Sequence, residues 1–473
     1  MTELPDLSAT ELVAAYRAGT VSPVEVTDAV LNRIEAREPE LHALYAYDPS
    51  HARALAKESE ARWQAGEPLG PIDGVPLTLK ENIATEGTPT PLGTAATELR
   101  PAAEDAPVAA RIRESGGVLL AKTTMPDYGM LTSGLSSFHT ASRNPWDTTR
   151  TPGGSSAGAG SAAAAGYGPL HVGTDIGGSI RLPAGWCGLA GLKPSFGRVP
   201  VDPPYIGRVA GPMTRTVADT ALLMDVIARP DARDHMSLPP AEIPWRELDS
   251  EVRGLRIGLH VDPGAGLSVD PATLAAVTEV ARRLEGAGAV VEPVDPFLTR
   301  DLLNGLDVFW RIRAWSDISS LPAERQEKVL PYIADWARAA AGVDGLTGYR
   351  GFSCIDTINA VTLRATEHYD FVLSPTCPVS APPADYASPT NDPEKPFEHI
   401  AFTVPYNMSG QPAISVNCGY TAEGLPIGLQ ISGRRFDDLG VLRLATAVER
   451  LRPEQRPWPA SSSAVPASAT PKR

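Results

Sequence analysis

Cysteine is scarce in this chain. Four cysteines among 473 residues (Cys187, Cys354, Cys377 and Cys418) lie far apart and form no Cys-x-x-Cys pair. That pattern excludes a disulfide framework and a zinc site built on paired cysteines. Reduced thiols in a cytoplasmic protein are expected instead. The eight histidines show no His-Glu-x-x-His or other metal-ligand spacing, so no metal is expected. Positive charge is in deficit: 42 Lys and Arg stand against 56 Asp and Glu, a formal net charge of −14. This argues against nucleic acid and anionic membrane as partners. Long apolar runs are missing as well. The closest, Ala162 to Val172, is short and broken by Gly and Pro, well under a membrane span. The opening Met1-Thr2-Glu3-Leu4-Pro5-Asp6 has neither the basic nor the apolar region of a signal peptide. Hydrophobic content of 42% and charged content of 21% are those of an ordinary globular protein.

What the chain does have is glycine and hydroxyl groups concentrated in one stretch. Thirteen of the fifty residues from Thr151 to Pro200 are Gly, and only Asp175, Arg181, Lys193 and Arg198 are charged. A segment so poor in charge is predicted to be mostly buried. Its two Ser-bearing glycine segments are Pro152-Gly153-Gly154-Ser155-Ser156-Ala157-Gly158 and Gly173-Thr174-Asp175-Ile176-Gly177-Gly178-Ser179-Ile180-Arg181. Glycine lets backbone approach a ligand closely. Hydroxyls beside tight turns point to a reaction centre where backbone N–H groups face an anion. Taken alone, Gly-Gly-Ser is a common turn with a solvated hydroxyl. Ser155 or Ser156 can equally be the N-cap of a helix through the small residues Ala157 to Ala165.

Elsewhere the pattern is α/β. Ser8 to Glu11 and Ser22 to Glu25 are capping boxes, the second with Pro at the first helical position. Val75 to Leu79 reads as a short apolar strand delivering Lys80 inward, its proline placing it at an edge or at a strand start. Val118 to Ala121 is another strand. Leu255–Val261, about Pro271–Gly286 and Ala289–Val294 follow strand–helix–strand grammar. Residues 299–345 read as helical, carry Trp310, Trp315 and Trp336, and are expected to cover the core and line substrate access. The Pro, Ser and Ala composition after Arg452 predicts a disordered tail.

The two glycine segments, with Gly74-Val75-Pro76-Leu77-Thr78-Leu79-Lys80-Glu81-Asn82 upstream, resemble the amidase signature family. So do Asn144 to Asp147, Cys187 to Pro194, Gly211 to Met213 with Val217 to Asp219, and Gly424 to Gln430. Residues 231–345 carry the least of the resemblance. It implies a mixed central β-sheet flanked by helices and amide hydrolysis by a Ser–Ser–Lys triad. Lys80 would be the base, Ser155 a relay serine after a cis peptide bond, and Ser179 the nucleophile, with spacings of 75 and 24 residues. The N–H groups of Ile176, Gly177, Gly178 and Ser179 would form the oxyanion hole. Asp175, Arg181 and Ser156 would support the site, and Gly129 and Met130 would border the acyl pocket. The expected organisation is one amidase domain over residues 1–452, with a variable, partly helical insertion at about 231–345 and a tail from 453 to 473. The expected partner is a small amide, with no cofactor, and the resemblance allows a homodimer.

Three other readings compete. The glutamine-hydrolysing subunit of a tRNA-dependent amidotransferase shares these motifs, although Phe402 to Ala413 is more similar to stand-alone amidases. Gly154-Ser155-Ser156-Ala157-Gly158 matches the elbow of α/β-hydrolase esterases, with Ser156 as nucleophile, but that motif needs a strand just before it. A binding protein that has kept the fold without catalysis is the third.

Overall fold

The computed structural model describes residues 3–459. Its backbone is an eleven-stranded mixed sheet flanked by helices. In chain order the strands are β1 (Leu44–Tyr45), β2 (Pro76–Lys80), β3 (Val118–Thr123), β4 (Leu170–Asp175), β5 (Ala190–Lys193) and β6 (Val209–Thr214). They continue with β7 (Arg256–Leu259), β8 (Val290–Pro293), β9 (Phe371–Pro375), β10 (Ala413–Tyr420) and β11 (Pro426–Gly433). The spatial order is β1-β3-β2-β4-β6-β5-β10-β11-β9-β7-β8.

Strand β2 lies between β3 and β4 and is parallel to both. All five of its residues are buried, as expected of an apolar strand covered on both faces. Pro76 sits at its first position, where a missing N–H does least harm to the ladder. The strand-start alternative therefore holds, and the edge alternative does not. Because β2, β3 and β4 run in parallel, their carboxyl ends open on one side of the sheet. Lys80, the loop after Thr123 and the Asp175–Ser179 loop all emerge there. Strand β6 is antiparallel to β4, with Val209 opposite Asp175, so the chain enters β6 through Arg208 at the same end.

The local signals are met. Both capping boxes form, at Ser8–Glu11 and Ser22–Glu25. The Ala157–Ala165 helix is buried on every side. It is made of Ala, Gly and Ser because it lies in contact with neighbouring backbone: a Cβ on Gly158 would come 2.2 Å from Ala43 O and 2.5 Å from Thr124 N.

The 231–345 segment divides in two. Strands β7 and β8, with the Pro271–Gly286 helix, form the expected strand–helix–strand unit, but they complete one edge of the main sheet. They are not an appendage to the core. The helices Arg300–Ser319, Pro331–Arg338 and Gly345–Thr366 instead build a second hydrophobic cluster, in which Trp310, Trp336, Ile355 and Ile358 meet Leu182 and Trp186. The first residues of the expected tail are docked: Trp458 lies 4.7 Å beneath the Arg215 guanidinium and 5.9 Å from the Trp146 ring. The rest of that tail, 460–473, lies outside the described residues. No described helix is long and apolar enough to cross a membrane.

Candidate active site

Lys80 ends β2 with its side chain completely buried. Its Nζ is 2.7 Å from Ser155 Oγ and 3.1 Å from Ser156 Oγ. The Gly154–Ser155 peptide bond is cis. Ser156 occupies the N-cap position of the Ala157–Ala165 helix, but its hydroxyl does not cap it. The hydroxyl instead faces Lys80 and exchanges 3.3 Å contacts with Thr174 N–H and Thr174 O across β4. Of the two serines expected as N-cap, Ser156 takes that position, but its side chain makes no capping hydrogen bond. Ser156 N–H donates to Ser179 O at 3.2 Å, tying the two glycine segments together.

Burial pushes the Lys80 amine down to about 7, and the nearby positive charge of Arg208 pushes the same way; Asp175 and Glu81 pull weakly in the opposite direction. A lysine so placed is neutral in a large fraction of molecules at neutral pH. It can then accept a proton from a serine 2.7 Å away.

The loop from Asp175 to Ser179 is held from beneath. Arg181 grips Asp175 through two hydrogen bonds, Nε to Oδ2 and Nη2 to Oδ1, both 3.0 Å. Neither side chain is exposed. Burial alone would raise the Asp175 carboxyl, but the Arg181 guanidinium outweighs it and holds the group well below the usual carboxylate range. The remaining Arg181 donors reach Thr403 O, Gln430 Oε1 and Asn407 Oδ1. Asn407 Nδ2 returns a hydrogen bond to Asp175 Oδ1 at 2.8 Å, and Thr403 Oγ1 donates to Gly177 O at 2.6 Å. Asp175 and Arg181 thus form a buried hub joining β4 to distant parts of the chain.

That hub corrects one expected donor. Gly178 N–H is turned to Asp175 Oδ1, 2.8 Å away, and so does not point at the opening. Gly178 has φ +128°, and a Cβ there would meet Thr403 Oγ1 at 2.7 Å and Leu182 at 2.8 Å. Among the described residues, the N–H groups of Ile176, Gly177 and Ser179 have no acceptor in the protein.

A cleft opens over these three. Gly129, Met130, Ile176, Gly177 and Ser179 line it together with Trp310 and Arg313. Gly129 and Met130, expected from the resemblance, do border the opening. A Cβ on Gly129 would lie 3.2 Å from Ser155 Oγ, so the Gly129 backbone roofs Ser155. Trp310 is pressed against Gly177, whose added Cβ would lie 3.2 Å from the indole. Trp315 and Trp336 do not line the cleft; Trp336 is buried against Phe397 behind it.

The elbow reading fails on backbone grounds. Residues 147–153, just before the Gly-x-Ser-x-Gly segment, form no strand.

A model of the amidase family matches residues 25–442. The chain belongs to the amidase signature family. It is 34% identical to an acylamidase of Rhodococcus erythropolis over 97% of this chain and 98% of that protein. It is 37% identical to a glutamyl-tRNA(Gln) amidotransferase subunit of Myxococcus xanthus over 95% of this chain and 98% of that one. The crystal structure of a bacterial aryl acylamidase of the same family superposes with TM-score 0.87 at 29% identity, covering 94% of this chain and 96% of its own. Members of the amidase signature family are amidohydrolases, and this one is a hydrolase of C–N amide bonds.

The supporting residues Thr403, Asn407 and Gln430 lie within motifs compared with the family above, yet nothing local marks them as part of the site. Arg208 and Arg313 carry no sequence signal: each is an isolated Arg in a stretch without a recognisable motif. Only the packing of the Arg300–Ser319 helix brings Arg313 to the cleft, and only the register of β6 against β4 sets Arg208 beside Ile176.

Proposed function

We propose that the protein is a stand-alone serine amidase that hydrolyses small amides through an acyl-enzyme on Ser179. The observation that carries this reading is the buried Lys80 Nζ, 2.7 Å from Ser155 Oγ, beside a loop that ends in Ser179. Neutral Lys80 takes the proton of Ser155 as Ser155 takes that of Ser179. Ser179 Oγ bonds to the amide carbon. The carbonyl oxygen becomes an oxyanion facing the N–H groups of Ile176, Gly177 and Ser179. The C–N bond then breaks, its electron pair leaving with nitrogen, and Ser155 gives that nitrogen a proton. Water releases the acid by the same relay in reverse. The reaction needs no proton source beyond these groups and water.

A fluorophosphonate probe tests the assignment. Peptide mapping should find the label on Ser179, and Ser179→Ala should remove both label and turnover, on the order of 10⁶-fold in kcat. A label confined to Ser156, or none on an active sample, overturns it. The 37% identity to an amidotransferase subunit supports a second reading, in which the chain hydrolyses glutamine within a multi-subunit complex. Co-purification of partner subunits with the tagged chain, together with glutaminase activity, favours that reading; turnover of simple amides by the isolated chain favours the first.

A further inference from the structure

One guanidinium, that of Arg313, lines the wall of the cleft, and a second, that of Arg208, belongs to the loop beside it. Arg313 lines the cleft together with Ser179. It sits one turn beyond Trp310 on the Arg300–Ser319 helix, and its Cζ lies 4.0 Å from the Tyr205 ring centroid. Arg208 precedes Val209, the residue paired with Asp175, so the register sets it beside Ile176 at the end of β4. Arg208 N–H donates to Tyr205 O at 3.0 Å, joining the two arginines through one loop. Among the described residues, neither guanidinium forms an ion pair. The side chain of Arg208 has a single long hydrogen bond, 3.5 Å to Pro203 O. Two residues before Arg313 on the same helix, Arg311 is paired with Asp307 at 2.8 Å. Asp202 acts on Arg208 only from beyond salt-bridge distance, and Asp317 lies near Tyr205 without pairing to either arginine. The Tyr205 hydroxyl is buried as well. Two like charges joined through one loop, and salt-bridged to neither nearby acid, repel each other, and an anion between them relieves this. Apart from Thr132, the other side chains that line the cleft around Ser179 are apolar, through Met130, Leu131, Leu182, Trp310, Phe397 and Ile400.

Building on the amidase reading, we propose that Arg313 and Arg208 form an anion subsite. The natural substrate is then an amide with an apolar body and a carboxylate, the carboxylate being held by the two guanidinium groups.

Two matched pairs of anilides test this by placing the charge on either side of the scissile bond. On the acyl side, the mono-para-nitroanilide of glutaric acid is compared with pentanoyl para-nitroanilide. On the amine side, a butyranilide with a para-carboxylate is compared with its para-methyl analogue. In one pair kcat/KM should favour the charged member by roughly tenfold to a hundredfold. That preference should fall as salt is raised, and Arg313→Gln and Arg208→Gln should each shrink it, chiefly through KM. The ratio is taken within each variant, so a loss of folded protein cancels. Hydrolysis of the neutral members without preference in either pair overturns the subsite and leaves the amidase reading intact. Calorimetric titration with phenylpentanoate and phenylpentanol reads the subsite without turnover. Binding of the acid alone, lost in Arg313→Gln, supports it even if none of the anilides is cleaved; equal binding of acid and alcohol overturns it.

Discussion

Lys80 shows how a single residue's setting becomes a rate. Its amine is buried and titrates near 7, against about 10.4 for a free lysine. In the proposed mechanism Lys80 acts as the base only when deprotonated, so kcat/KM is expected to rise as pH passes through about 7 and to level off above it. Lys80→Ala should cost about 10²- to 10⁴-fold and flatten the rising limb. Lys80→Arg should not rescue it, because guanidinium stays protonated. A pH–rate profile on an uncharged anilide checks both, and an active Lys80→Arg enzyme with the wild-type profile would remove Lys80 from the role. Asp175 is the other decisive residue at this scale. Replacing it by Asn leaves Arg181 buried without its counter-charge, and a loss of about 3–5 kcal/mol in stability is expected by denaturant titration.

At the scale of elements, the site is a loop pressed between a hub and a helix. The Asp175–Ser179 turn is anchored beneath by Arg181 and Thr403 and covered by Trp310. Gly178→Ala should disrupt it, because φ +128° and contacts under 3.0 Å leave no room for a methyl group. The expected result is loss of activity with retained global secondary structure, read by circular dichroism and turnover together. The sequence suggests that the tryptophans of 299–345 govern substrate access as a group, and the packing separates them. Trp310, only 4% exposed, both lines the cleft and fills the second core. Trp310→Ala should therefore reorder an anilide panel and also cost about 3–5 kcal/mol. Trp336→Ala should destabilise by a similar amount and reorder the panel less. Equal reordering by the two would show that the cleft responds to the second core as a whole.

At the scale of the whole molecule, the interior holds bases that fold best when neutral. Burial lowers His260 to about 4, and His171 and His399 to about 3. An unfolded histidine takes up its proton near 6.5, so between these values the unfolded chain binds more protons. Stability therefore falls as pH drops below 6.5, by about 2 kcal/mol per buried histidine at pH 5. Lys80, Lys122 and Lys193, each lowered to about 7 by burial, act in the same direction higher up the scale. Urea midpoints measured from pH 8 to pH 5 should decline throughout, the lysines dominating the loss above about 7 and the histidines below 6.5. A flat profile would mean that water reaches these groups.

Much of this is legible in the chain. Capping boxes, the small-residue helix and the 255–294 strand–helix–strand unit are written in local pattern, because caps and periodicity depend on neighbours a few residues apart. The spacing of Lys80, Ser155 and Ser179 within family motifs marks one site, and the same resemblance places Gly129 and Met130 beside it. What local pattern cannot express is direction. Whether Gly178 N–H faces the opening or the Asp175 carboxylate depends on an ion pair that itself depends on Asn407 and Gln430, more than two hundred residues away. Whether Ser156 caps its helix or turns to Lys80 depends on β2 and β4 lying side by side. The convergence of Arg208 and Arg313 exists only because β6 runs antiparallel to β4 and a distant helix packs across that end of the sheet. The sequence alone determined which residue types are present and which local elements they form. The tertiary structure decided which groups face one another, because burial, charge pairing and backbone orientation are set by neighbours distant in the chain.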